Sequence, residues 1–514
     1  MMEDNKQNLD NSLKLMVKSS FFVFIALILS KILAYSYRIL VARSFGPEVY
    51  GLFTLAVMIS GWFIVFSSLG LNQGLLRYIS LYRGKKEINK IRFIFKISSK
   101  IVLFSTLLSA IILFFLAQFI SINLFHNPGL IIFLKLFSII IPLFAFSNIF
   151  LSILRAYEKI TWYSFILNIL YNSLKLIILL ILIFLGIKTN AVIFSYLLGI
   201  LIMLIVSYLV CKYKISEIFG KDNLPKEIRK NIAKEFFSYS WPVLFFGFFG
   251  GILPWIDSFV IGYFKGASDV GFYNAAIPLV FLLGISQELF VPLFFPLITR
   301  EYAKKNFKLV KELTKQIGKW IFLLNLPLLI MIILFPGALI NIFFGSEYLF
   351  AANALRILVI GAFFANITVL SVNLISMVGK TKVILINTLI TCVFNTILNI
   401  FLVPKYGIDG AAFSTTISWI FFGIIFVFQA NHYTSIIPLR RKMLRILIIS
   451  FIPTFLLIFT KQFIRINLIS IILLGVFFYL SYFLLIFLTK CLDKNDFIVL
   501  KSIWKKIFIK NKII

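Results

Sequence analysis

Long apolar runs follow one another along the whole chain, separated by short polar or basic stretches. Each run is close to the ~20 residues a helix needs to cross the hydrocarbon core of a bilayer. The pattern predicts about fourteen spans, at roughly 20–42, 49–70, 97–120, 130–153, 162–185, 191–211, 239–263, 272–299, 320–336, 351–378, 383–403, 410–431, 444–460 and 467–489. A β-barrel would show short alternating segments, and the sequence has none. The predicted fold class is an all-α polytopic membrane protein. No loop is long enough for a separate soluble domain.

Two boundaries have a clear local cause. Ser44-Phe45-Gly46-Pro47-Glu48 joins the first two spans, and its Gly-Pro pair predicts a turn. The seventh span carries Pro242, Gly247, Gly250, Gly251 and Pro254. Proline removes a helix hydrogen bond and glycine weakens helix propensity, so this span is predicted to be bent or broken.

A weak internal repeat organises the spans. Val49-Tyr50-Gly51-Leu52-Phe53 opens the second span, and Asp269-Val270-Gly271-Phe272-Tyr273 opens the eighth. Asn168 and Asn172 in the fifth span match Thr391 and Asn395 in the eleventh at the same spacing. The repeat predicts an N-terminal six-span lobe over 1–236 and a second over 237–440. Residues 441–514 then hold two further helices and a basic tail. Repeats of this kind are common in secondary transporters.

Charge fixes orientation. The chain has 514 residues, 61% hydrophobic and 14% charged, with a net charge of +32. In a soluble protein that charge would suggest nucleic acid. Here the basic residues fall in the loops, overwhelmingly on one side of the predicted spans. The positive-inside rule therefore predicts cytoplasmic N- and C-termini and no nucleic-acid partner. The basic stretches 77–100 and 300–319 are also amphipathic, a pattern that suits the surface of an anionic membrane. Topology alone accounts for their charge. Cys211, Cys392 and Cys491 have no metal-site or disulfide spacing, and His126 and His432 are far apart in sequence. No metal, cofactor or enzymatic motif is predicted.

Polar groups inside the spans are the candidate chemistry. Lys31 and Arg38 lie seven residues apart, nearly on one helix face. Each costs roughly 2.5–3.5 kcal/mol at the bilayer centre, so each needs a water-filled cavity, an anionic ligand, a buried acid or an interface to reach. Asn168, Tyr171, Asn172 and Lys175 share one face of the fifth span. Asn387, Thr391 and Asn395 form a similar stripe on the eleventh. Such stripes suit a sugar-binding cavity and, equally, helix–helix hydrogen bonding. Asp257, three residues after Pro254, and Glu288 are intramembrane acids. Pro254, Asp257 and Glu288 are candidates for gating or ion coupling, with ordinary structural pairing as the alternative.

Several stretches resemble a known family. Arg43 to Gly51, Ser68-Leu69-Gly70-Leu71 and Arg77-Tyr78 are similar to the opening of the polysaccharide transport family. So are Asp257 to Ala276, and Asn395 to Ala412 with Asn399, Pro404, Gly407 and Gly410. The resemblance covers roughly 15–490. This family lies in the multidrug/oligosaccharidyl-lipid/polysaccharide exporter superfamily. The resemblance implies two lobes in a V shape and a cell-membrane location. It also implies flipping of polyprenyl-(pyro)phosphate-linked oligosaccharide by alternating access, as in Wzx-type flippases, with H+ or Na+ as candidate coupling ion. It further implies a cationic cavity for which Lys31, Arg38 and Lys175 are the candidates by position. The alternative within the superfamily is a cation-coupled multidrug exporter, which would place acids at the centre.

Overall fold

The computed structural model describes residues 2–463 and 467–492, without the side chains of 2–24 and a few positions between 246 and 293. The basic tail from 493 onward lies outside the described residues. Every regular element among the described residues is a helix. In order these are α1 Met2–Ser67, α2 Leu71–Gly84, α3 Ile88–Phe119, α4 Leu130–Ser138, α5 Ile140–Ala156, α6 Ile160–Ser164, α7 Tyr171–Phe184, α8 Asn190–Lys214 and α9 Lys226–Ile252. They continue as α10 Ile256–Phe264, α11 Ala267–Val280, α12 Gly284–Ala303, α13 Phe307–Leu334, α14 Pro336–Phe344, α15 Ala351–Met377, α16 Thr381–Thr434, α17 Arg441–Lys461 and α18 Leu468–Leu488.

By length and composition, ten of the helical stretches can cross a membrane, or eleven if the bent pair α4–α5 is one span. The difference from the fourteen expected lies largely in two long helices. α1 contains Gly46 at φ 79°, ψ 175°, and α16 contains Gly407 at φ 58°, ψ −135°. These are not helical angles, and positive φ is cheap only for glycine. Pro47, directly after Gly46, has the fixed φ suited to a first helical turn. Each long helix is therefore two helices that meet at a glycine. α9 and α10 are likewise separated by a 3-10 turn, Leu253–Trp255, that contains Pro254.

The chain divides into two compact units, Met1–Ala275 and Ala276–Ile514. In the first, α1, α3, α4, α5, α7 and α8 pack around one another, with α2 against α3, α5 and α9. α2 shows why. Its buried Leu71, Gly74, Leu75, Tyr78, Ile79 and Tyr82 recur at helical spacing, and Tyr78 Oη donates to the Glu235 carbonyl at 3.1 Å. The apolar face of this amphipathic helix meets protein instead of lipid. The following linker is also fastened. Arg92 donates to the carbonyls of Glu217 and Lys221, at 2.7 and 3.1 Å. Asp222 pairs with Lys96 at 3.3 Å and Arg229 at 2.7 Å. Tyr157 Oη donates to Glu217 at 2.8 Å, and burial pushes the Tyr157 phenol above its usual pKa range.

The two repeat-related glycines meet inside this unit. A Cβ on Gly51 would fall 1.7 Å from the Ala267 carbonyl oxygen, and one on Gly271 would fall 2.0 Å from the Pro47 carbonyl oxygen. Each glycine faces the residue four before the other. The seam is reciprocal, and both partners are backbone.

In the second unit α15 lies along α16, and α12 and α13 pack on α15. Phe294, Ile298, Val310, Ile321, Leu370, Leu374 and Phe426 form one core there. α17 and α18 are fixed to α13 through Phe335, Leu457 and Phe478. Tyr482 Oη donates to the Leu323 carbonyl at 3.1 Å, and Lys461 Nζ to the Leu334 carbonyl at 2.8 Å.

Candidate functional site

In the first unit, α1, α7 and α8 bring several of the expected residues together. Lys175, on α7, is only 7% exposed. Its ammonium lies 4.6 Å from the ring centre of Tyr171, 5.2 Å from Tyr37 and 5.8 Å from Tyr196. All three are within cation–π range. Gly199 makes room for the stem, since a Cβ there would sit 3.0 Å from Lys175 Cβ. Arg38, half-buried on α1, is close enough to act electrostatically on Lys175, Tyr196 and Tyr50, and it is in hydrogen-bonding reach of the Tyr50 hydroxyl. Among the described residues no ion pair engages Lys175 or Arg38. Lys175 is buried and Arg38 half-buried within electrostatic reach of it, beside aromatic side chains, and no described carboxylate pairs with either.

The cage is held rigidly. Tyr37 Oη donates to the Val192 carbonyl at 3.1 Å or shares a hydrogen bond with Ser195 Oγ at 3.0 Å. The Tyr196 ring stacks on Phe137 at 5.4 Å between centres. Asn172 Nδ2 donates to Ser30 Oγ and to the Asn168 carbonyl, both at 3.0 Å, which ties α7 to α1. Asn168 Nδ2 donates to Ser164 Oγ at 3.0 Å. Asn168, Tyr171, Asn172 and Lys175 are all buried, and Lys31 is half-buried on α1.

The stripe on α16 lies in the second unit and is occupied by its own hairpin. Asn387 Nδ2 donates to Gln429 Oε1 at 2.6 Å. Asn395 Nδ2 donates to Thr415 Oγ1 at 3.1 Å. Thr391 Oγ1 donates to the Asn387 carbonyl at 2.8 Å. Polar side chains in membranes commonly join helices in this way, and here Asn387 and Asn395 join the two halves of α16, while Thr391 bonds within its own half.

The gating candidates are dispersed. Pro254 is exposed at the α9–α10 break. Asp257, 8% exposed, accepts a hydrogen bond from Tyr273 Oη. Next to it Asn274 Nδ2 donates to Ser258 Oγ at 2.9 Å, and Tyr50 Oη donates to the Asn274 carbonyl at 3.2 Å. Glu288 is exposed on α12. Among the described residues no three His, Cys, Asp or Glu side chains come together as a metal site.

Sequence reasoning passed over Tyr37, Tyr196 and Tyr50. A lone tyrosine in an apolar run reads as core or interface anchor. The available signal was the adjacency of Tyr37 to Arg38.

The model of a family described as polysaccharide biosynthesis protein matches residues 16–298. The MatE family model matches 251–401. A putative O-antigen transporter of Shigella flexneri is 28% identical over 391 residues, covering 73% of this chain and 88% of its own length. The probable low-salt glycan biosynthesis flippase Agl15 of Haloferax volcanii is 26% identical over 255 residues, covering 50% of this chain and 51% of its own length. Among solved structures, the lipid II flippase MurJ in an inward closed conformation superposes with a TM-score of 0.71 at 19% identity, over 95% of this chain and all of the other. The fold is that of the multidrug/oligosaccharidyl-lipid/polysaccharide exporters, and the family match spans more than half of the chain. This multi-pass membrane protein belongs to the polysaccharide biosynthesis protein family.

Proposed function

We propose that this chain is a flippase that moves polyprenyl-(pyro)phosphate-linked oligosaccharide across the cytoplasmic membrane by alternating access. One observation carries the reading: in the first unit the buried Lys175 has Arg38 within electrostatic reach, and no described acid pairs with either. A phosphate headgroup loses its hydration on entering a low-dielectric core, and fixed cations offset that loss. Organic cations would want the opposite polarity. The names of the O-antigen transporter and of the glycan and lipid II flippases point the same way.

In this reading Lys31, Arg38 and Lys175 face the phosphates, and Asn168, Tyr171 and Asn172 offer donors and acceptors to sugar. Fourteen spans result when α1 and α16 each count twice and α4–α5 and α9–α10 each count as one. Both termini are then cytoplasmic under the positive-inside rule. The lobes are 1–236 and 237–440, followed by 441–514. Pro254, Asp257 and Glu288 serve gating or coupling, with H+ or Na+ as the ion.

Deletion of the gene followed by lipid analysis tests the function. Lipid-linked oligosaccharide should accumulate on the cytoplasmic leaflet; unchanged glycan export would remove the reading. A second reading, a cation-coupled multidrug exporter, is favoured by the MatE match and the buried Asp257. It predicts lost resistance to cationic drugs with glycan export intact.

A further inference from the structure

Lys175 poses a physical question that the proposed transport leaves open. A buried ammonium must recover the hydration it has lost. The usual solution is a carboxylate, and none acts on Lys175. The three tyrosine rings take that place, and they come from three different helices, α1, α7 and α8. The difference matters for function. A carboxylate would stabilise the ammonium and cancel its field. A π face stabilises the ammonium and leaves its net charge in place. Arg38, next in sequence to the cage residue Tyr37, adds a second positive charge within electrostatic reach. Two like charges held together without an acid are poised for one ligand that carries two negative charges.

We propose that Tyr37, Tyr171 and Tyr196 are specificity-determining residues: they keep Lys175 as an uncancelled buried cation, so that with Arg38 the site prefers a dianionic pyrophosphate-linked lipid to a monoanionic phosphate-linked or neutral one. The proposal rests on the flippase reading and adds the residues that set its charge preference. Tyr37 and Tyr196 are placed by their own contacts, the first through its hydroxyl to Val192 and Ser195, the second through stacking on Phe137. Tyr171 lies closest to the ammonium and is the ring to test.

The experiment uses the full chain, purified and reconstituted in nanodiscs. Binding of three probes of equal chain length is compared: a polyprenyl-pyrophosphoryl sugar, a polyprenyl-phosphoryl sugar and polyprenol, which carry two, one and no negative charges because the sugar caps the terminal phosphate. Wild type should bind them in that order. Tyr171→Leu should lose the preference for pyrophosphate over monophosphate by roughly tenfold, while Tyr171→Phe, which keeps the π face, retains it. Lys175→Met removes the charge at similar volume and should lose the preference to a similar degree, which keeps the test decisive if Tyr171→Leu does not fold. A wild-type preference that survives intact in Lys175→Met overturns the cage proposal and leaves the flippase reading standing. A preference lost equally in Tyr171→Phe and Tyr171→Leu also overturns it, because the hydroxyl would then be the determinant. Wild-type protein that binds polyprenol as well as the two anionic probes overturns both the proposal and the reading beneath it.

Discussion

Gly51→Ala is expected to destabilise the protein although it adds a single methyl. The new Cβ would lie 1.7 Å from the Ala267 carbonyl oxygen, 2.6 Å from its carbon and 3.0 Å from Gly271 N. All of these are backbone atoms, so no rotamer change relieves the clash. Ordinary contact begins near 3.4 Å, and the helix starts at Pro47 and Ala267 must therefore separate by well over an ångström. Overpacking of this kind costs about 1–3 kcal/mol, occasionally more. Against that, alanine gains about 1 kcal/mol of helix propensity over glycine. The difference is a loss of up to about 2 kcal/mol, and a 1.7 Å approach to rigid backbone puts Gly51→Ala at the upper end. Gly61→Ala is the control. It lies on the same helix with nothing within 4 Å of its Cβ, so only the propensity gain remains and its melting temperature should hold or rise. Because the seam is reciprocal, separating the helix starts once relieves both sites. Gly51→Ala with Gly271→Ala should therefore cost less than the sum of the single changes. Thermal unfolding of wild type and the four variants, Gly271→Ala included, in one detergent decides. Equal melting temperatures for Gly51→Ala and Gly61→Ala would refute the seam.

Other expectations follow from the same contacts. Arg38→Ala should insert and melt near wild type yet abolish transport, because no described residue forms an ion pair with Arg38 and Tyr50 keeps its bond to the Asn274 carbonyl; Arg38→Lys should keep partial activity, since a point charge still meets phosphate without the bidentate fork. Full export by a well-folded Arg38→Ala protein would remove its role. Asn387→Leu should leave Gln429 short of a partner and destabilise the second unit, while Asn387→Leu with Gln429→Leu should recover most of the loss; the measured coupling should be about 0.6–2 kcal/mol, and zero coupling would contradict the pairing. Reporter fusions at Asn11 and Lys510 should both report the cytoplasm, and an external signal from either would overturn the fourteen-span topology.

Some breaks were legible in the sequence because glycine tolerates the positive φ other residues avoid and proline lacks the amide a helix interior needs. Gly46-Pro47 predicted a turn and Pro254 a break, and the break at Gly407 falls between the predicted spans 383–403 and 410–431. Span positions followed from apolar length, since the bilayer fixes that length. The faces of polar stripes were legible too, because helical periodicity decides them. What each face meets was not. The Asn387 stripe and the Lys175 stripe look alike in sequence, yet one closes a hairpin and the other lies in a tyrosine cage. Tyr37 and Tyr196 could not be singled out, because a cage drawn from three helices has no local spacing. The stretch 77–100 was recognised as basic and amphipathic, but only packing showed that α2, which leads into it, turns its apolar face to α3, α5 and α9.

The central claim is that this protein carries an anionic lipid-linked sugar across a bilayer. The most direct measurement uses purified full-length protein in sealed vesicles containing a fluorescent polyprenyl-pyrophosphate-linked oligosaccharide. A membrane-impermeant quencher then reports the label exposed on the outer leaflet over time. The account predicts that wild-type protein exchanges label between leaflets, and that the Lys175→Met and Arg38→Ala proteins do so at rates close to protein-free vesicles. Wild-type vesicles that behave like protein-free ones, or exchange that is unaffected by loss of both cations, would contradict it.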